Sequence, residues 1–81
     1  MIIRIKFFAI LKDILEREEM ILNFSSPISC GEVLAFLKDS FSETASLLES
    51  SFVAVNGHYA ERGTALNPED EVAVLPPMSG G

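Results

Sequence analysis

Glu71-Val72-Ala73-Val74-Leu75-Pro76-Pro77-Met78-Ser79-Gly80-Gly81 closes the chain, and the rest is read outward from this stretch. Glu71 to Leu75 is short, apolar and rich in valine, the signature of a strand. Proline donates no hydrogen bond to a sheet ladder, so Pro76-Pro77 ends that strand and projects the chain outward. Gly80 and Gly81 lack a Cβ and fit where side chains would clash. Six extended residues reach roughly 20 Å at about 3.3–3.6 Å each. The expectation is a folded domain over residues 1–75 and a flexible diglycine tail over 76–81, disordered until bound. Such a tail can be threaded, carboxylate first, into a narrow site on another protein.

Working outward, Ile2 to Phe8 reads as a strand. Ile3, Ile5 and Phe7 share one face, and Ile2, Arg4, Lys6 and Phe8 the other. Ala9 to Leu15 places Ile10, Leu11, Ile14 and Leu15 at helical spacing. Glu19 to Phe24 is a second strand, ended by Ser25-Ser26-Pro27. Ser29-Cys30-Gly31-Glu32 fits a capping box, opening a helix to about Phe41 with Val33, Leu34, Leu37 and Phe41 as its buried stripe. Ser42 to Ser51 reads as loop or a frayed turn over Leu47 and Leu48. Phe52 to Val55 is a strand, Asn56-Gly57 signals a type I′ hairpin turn, and His58 to Glu61 returns. Leu66 to Asp70 is a turn before the last strand. This order predicts an α+β chain, a β-grasp with a mixed five-stranded sheet covered by one main helix. Its first and last strands would lie parallel at the centre. A ferredoxin-like fold would want a second long helix.

Eighty-one residues make one domain. Twelve acids against six bases give a formal net charge of −6. Nucleic-acid binding rests on phosphate neutralisation by Lys and Arg, so this balance speaks against it. It favours a partner with a basic face, although solubility alone would explain it as well. No apolar run approaches the roughly 18–20 residues of a membrane span. The start of the chain is broken by charges and lacks the cleavage site of a signal peptide. One cysteine makes no internal disulfide, and cytoplasm is the natural compartment.

The first candidate site is the Gly81 carboxylate. A carboxylate resists attack through its charge and resonance, and becomes reactive only when another enzyme converts it to an acyl-adenylate or thioester. An unhindered glycine suits that chemistry; the bland alternative is a chain end with no role. The second candidate is an outer apolar patch. If the first and last strands are neighbours, Phe8 and Leu75 meet on the uncovered sheet face beside the root of the tail. Tyr59 would extend the patch, although scattered surface hydrophobes are also normal. Cys30, at a first helical turn where the dipole lowers a thiol pKa, has no His or second Cys spaced to make a nucleophilic pair and reads as a small residue at a helix start. His58 reads as a lone turn histidine, Glu69-Asp70-Glu71 as a solvated turn, and Glu16, Glu18 and Glu19 as a solvated connection. No phosphate loop or metal-ligand spacing appears, so no bound cofactor is expected.

Over its whole length the chain resembles the small subunits of molybdopterin synthase, a family of ubiquitin-like sulfur carriers. The likeness is carried by Phe7-Phe8-Ala9, by Asp70-Glu71-Val72-Ala73 and, most specifically, by Pro76-Pro77-Met78-Ser79-Gly80-Gly81. The resemblance implies that an ATP-dependent adenylating enzyme of the ubiquitin-activating type adenylates Gly81, which is then sulfurated to a thiocarboxylate. Gly80 lets the tail thread into the large subunit, past contacts at Phe8, Tyr59, Leu75, Pro76, Pro77, Met78 and Ser79. Sulfur then passes to a pterin precursor to form the dithiolene of the molybdenum cofactor. The small subunit has no catalytic apparatus of its own, and family analogy implies a heterotetramer. Two positions depart from the family pattern: Glu69 stands where glycine is common, and Lys12 stands near a place usually held by arginine. Two alternatives remain: a carrier of the same fold for thiamine, tungsten-cofactor or cysteine assembly, or a protein modifier joined to lysines through Gly81.

Overall fold

The computed structural model describes residues 1–25 and 27–77. Within them run β1 (Ile2–Phe7), α1 (Ala9–Leu15), β2 (Glu19–Asn23), α2 (Cys30–Ser40), α3 (Ala45–Glu49), β3 (Phe52–Val55), β4 (His58–Ala60) and β5 (Glu71–Leu75), with a 3₁₀ turn at Ser42–Thr44 before α3. The five strands form one sheet in the order β2-β1-β5-β3-β4. β1 and β5 are parallel at its centre and every other pairing is antiparallel. This is the expected β-grasp.

Period-two patterning decides which face is covered. Ile3, Ile5 and Phe7 of β1 and Val72 and Val74 of β5 all point to the helix side and are buried. Val33, Leu34 and Leu37 of α2 pack onto them, with Leu11, Leu48, Val53 and Leu66 closing the core. Phe41, expected in that stripe, is only half-buried, with the Arg17 guanidinium 5.4 Å from its ring centroid.

The capping box forms as expected. The Glu32 amide donates to Ser29 Oγ at 3.3 Å, and the Ser29 amide donates to Glu32 Oε1 at 2.9 Å. The next two amides leave the helix: Cys30 donates to the Thr64 carbonyl and Gly31 to the Arg62 carbonyl, at 3.0 and 2.7 Å. A Cβ at Gly31 would stand 3.1 Å from that same Arg62 oxygen, which accounts for the glycine. The Asn56-Gly57 turn has positive φ at both residues, 50° and 87°, as a type I′ hairpin demands.

Two expectations fail. Ser42 to Ser51 is not a loop but a 3₁₀ turn followed by α3. Thr44 and Ser51, of residue types that usually favour loops, donate their hydroxyls to carbonyls a turn earlier: Thr44 to Phe41 at 2.8 Å and Ser51 to Leu47 at 2.7 Å. Leu48, fully buried, pins the segment to the core. Nor is Glu69-Asp70-Glu71 solvated throughout: Glu69 is exposed and Glu71 half-buried, but Asp70 departs from the expectation. Asp70 is buried, and its carboxylate accepts from Asn56 Nδ2 at 2.9 Å and from the Asn67 amide at 2.7 Å. Asn56 completes the clamp by accepting from the Glu71 amide through Oδ1 at 3.0 Å. The hairpin turn and the start of β5 are thereby locked together.

Candidate functional site at the root of the tail

β5 delivers the chain to Leu75 on the face that no helix covers. Its outward residues Glu71, Ala73 and Leu75 alternate with buried Val72 and Val74. The register then assembles a patch. Leu75 lies across from Phe52, Ala73 from Ala54, and Ala54 from Tyr59. Residues directly opposite on neighbouring strands share a face, so all five side chains stand together. Phe52 is 59% exposed and Tyr59 80% exposed. Their rings meet edge to face, with centroids 6.2 Å apart.

On the other flank, β1 pairs with β5 up to Phe7 and Val74. Continuing that register one step sets Phe8 level with Leu75. Phe8 keeps extended backbone angles and is 42% exposed. Immediately after it, Ala9 adopts a φ of +52°, turning the chain into α1. Phe8 also borders a shallow hollow shared with Lys6, Lys12 and Glu18.

Charged pairs border this apolar ground. Lys6 Nζ lies 3.3 Å from Glu71, Lys12 Nζ 3.8 Å from Glu18, and Arg4 Nε 3.9 Å from Glu19. All are substantially exposed, so they contribute little to stability and leave the patch with a polar border. Across the sheet, Arg62 steadies the approach to β3 by donating to the Glu49 carbonyl at 2.7 Å. It also joins Phe52, Val53, Tyr59 and Ala60 around a second shallow hollow.

The sequence-derived residues thus fall as follows. Phe8, Tyr59 and Leu75 lie around one end of the outer face, Pro76 is half-buried at the root, and Pro77 is exposed. Met78, Ser79, Gly80 and Gly81 lie outside the described residues. Phe52 was missed, although a signal for it existed. A two-residue turn at Asn56-Gly57 fixes Ala54 opposite Tyr59, and alternation then puts Phe52 on the face of Tyr59.

Cys30 is fully buried, and burial pushes its thiol above the ordinary value, helped by the negative charge of Asp70 and opposed by a backbone hydrogen bond. Desolvation of the thiolate outweighs any lowering that the helix dipole could supply, and the reading of Cys30 as a small residue at a helix start stands. His58 is exposed at the start of β4. Among the described residues, no group of three or more His, Cys, Asp or Glu side chains could hold a metal ion, and no helix is long and apolar enough to cross a membrane.

The outer face thus gathers an apolar patch around the place where β5 leaves the sheet. Comparison with known proteins gives the same picture a lineage. The ThiS family model matches residues 5–81. The molybdopterin synthase sulfur carrier subunit of Dictyostelium discoideum is 31% identical over 81 residues, covering 96% of this chain and 94% of that protein. Among solved structures, the small archaeal modifier protein 1 of Haloferax volcanii superposes with a TM-score of 0.81 at 24% identity, covering 95% of this chain and 98% of that one. A chain from the complex of subunits 1 and 2 of the molybdopterin-converting factor of Helicobacter pylori does so with a TM-score of 0.73 at 24% identity, each chain covered in full. These two structural likenesses speak to the fold.

Proposed function

The chain belongs to the ThiS family, and from that premise we propose that it is the sulfur carrier subunit of a molybdopterin synthase. The observation that carries this reading is the near-full-length match to a sulfur carrier subunit, at 31% identity. The apolar collar at the root of the tail supports it from the side of geometry.

The proposed cycle has three steps. An adenylating enzyme uses ATP to convert the Gly81 carboxylate to an acyl-adenylate, releasing pyrophosphate. A sulfur donor then displaces AMP, leaving a thiocarboxylate. In the large subunit, that sulfur passes to a pterin precursor and the Gly81 carboxylate is regenerated. Nucleotide binding belongs to the activating enzyme. The small subunit acts in the cytoplasm as a cosubstrate, with Gly81 as the group-bearing end and Gly80 free of side-chain clash along the channel.

What the folded part contributes is affinity and aim. Phe8, Phe52, Tyr59 and Leu75 offer the large subunit an apolar contact; burying one such side chain contributes about 1.5–3 kcal/mol. Pro76-Pro77 keeps the first step of the tail stiff and directed away from the sheet. Removal of Gly81 should abolish dithiolene formation in a reconstituted synthase while leaving the thermal melt unchanged. Retained activity would overturn the carrier role.

A further inference from the structure

α1 spends its apolar residues unusually. Of Ile10, Leu11, Ile14 and Leu15, Leu11 alone is buried, while Ile10 is 51% and Ile14 46% exposed. Ile10 and Ile14 are four residues apart and so form one ridge on the helix surface. The helical period puts that ridge on the flank opposite Lys12. Lys12 turns toward Glu18, at the entry to β2. The isoleucine ridge therefore faces away from β2, toward the side where β5 and the root of the tail stand in the sheet order.

The end of the molecule on which α1 sits matters too. β1 and β5 are parallel, and their pairing runs to Phe7, the last residue of β1, and Val74, one short of the end of β5, so the chain turns into α1 at the same end from which the tail departs. Two left-handed residues, Ala9 at φ +52° and Glu16 at φ +54°, bracket this short helix and hold it there. A protein that encloses the tail down to its carboxylate must sit flush against this end. Its mouth would then meet the outer patch on one side of the root and α1 on the other.

We propose that Ile10 and Ile14 form a second docking ridge for the tail-receiving large subunit, continuous around the root of the tail with the Phe8–Leu75 patch. This rests on the carrier reading above. The charge pattern specifies the complementary surface. Asp13 and Glu16 on and just after α1 enter none of the ion pairs among the described residues, and the chain carries a net charge of −6. The fitting partner surface is an apolar groove with a cationic border beside the channel mouth.

The test is a titration of the large subunit with full-length protein carrying Ile10→Ser and Ile14→Ser together, beside Leu75→Asp, each checked by thermal melt. The ridge variant should lose about tenfold or more in affinity with its melt nearly unchanged. Undiminished affinity in the ridge variant, with Leu75→Asp strongly impaired, would overturn the ridge and leave the carrier reading standing. Undiminished affinity in both would overturn the docking geometry of the carrier reading as well. If the ridge variant binds normally and fails only in thiocarboxylate formation, the occupant is the adenylating enzyme and this assignment is wrong. Should the double variant unfold, Asp13→Lys with Glu16→Lys, both at exposed positions, reads the cationic border. Affinity should fall and grow less salt-dependent; unchanged affinity would overturn the proposal.

Discussion

The two ends of β5 are built in opposite ways. At Glu71 the strand is locked by polar groups: buried Asp70 holds Asn56 and the Asn67 amide, and Asn56 holds the Glu71 amide. At Leu75 no such lock is found among the described residues; the strand leaves the sheet beside exposed Phe52 and Tyr59. One end fixes register and the other offers surface. In the proposed carrier this is a division of labour along a single five-residue strand, with stability concentrated at its start and recognition at its finish.

The most damaging way to break that comparison is at the lock. Asp70→Ala leaves two donors without their acceptor in a buried site, and should cost about 2–4 kcal/mol of folding stability. Affinity for the large subunit, measured below the new melting temperature, should stay near its original value. Chemical denaturation beside titration would expose the opposite outcome, a binding defect without a stability defect.

The mirror experiment is at the finish of the strand. Phe52→Ala and Leu75→Ala should each weaken large-subunit binding about tenfold; stability should stay nearly intact for Phe52, which is open to solvent, and fall modestly for half-buried Leu75. Phe8→Ala should behave alike. If melting falls and affinity holds, the residue belongs to the core and the division fails at that point.

A smaller effect sharpens the first half of the comparison. Glu69 sits at a φ of +67°, a left-handed conformation that burdens any residue with a Cβ. Glu69→Gly should stabilise the fold by up to about 1 kcal/mol, and destabilisation would show that the side chain holds the turn.

The smallest effect is Cys30. Its folded thiol titrates above the ordinary value, so the folded state holds its proton more tightly than the unfolded chain. Stability should be unaffected below the ordinary thiol range and should decline as pH rises through it toward the raised folded value. Cys30→Ala should lack that alkaline decline, and the native thiol should resist alkylation. Rapid labelling of folded protein would contradict its burial.

Much of this was legible in the sequence for local reasons. Alternation in Ile2–Phe7 and Glu71–Leu75, the Ser29–Glu32 capping box and the Asn56-Gly57 turn each specify geometry within a few residues. What resisted reading was non-local. Asp70 looks like any acidic turn residue until Asn56, far off in sequence, comes to meet it. The serines of Ser42–Ser51 favour a loop until Leu48 finds the core. Ile10 and Ile14 read as an ordinary apolar stripe, because nothing in a seven-residue pattern says that only Leu11 will be covered. Phe52 was recoverable from the hairpin register. The four residues of the tail that would carry the chemistry were read from sequence and family alone.

The central claim, that Gly81 is a reactive end held out by a recognising domain, is tested most directly by intact-mass spectrometry of protein made in its native host. The account predicts a species heavier by the exchange of one oxygen for sulfur, localised to Gly81 and lost on incubation with the large subunit and pterin precursor. An unmodified Gly81 in cells that are actively making molybdenum cofactor, or Gly81 found in isopeptide linkage to other proteins instead, would contradict it.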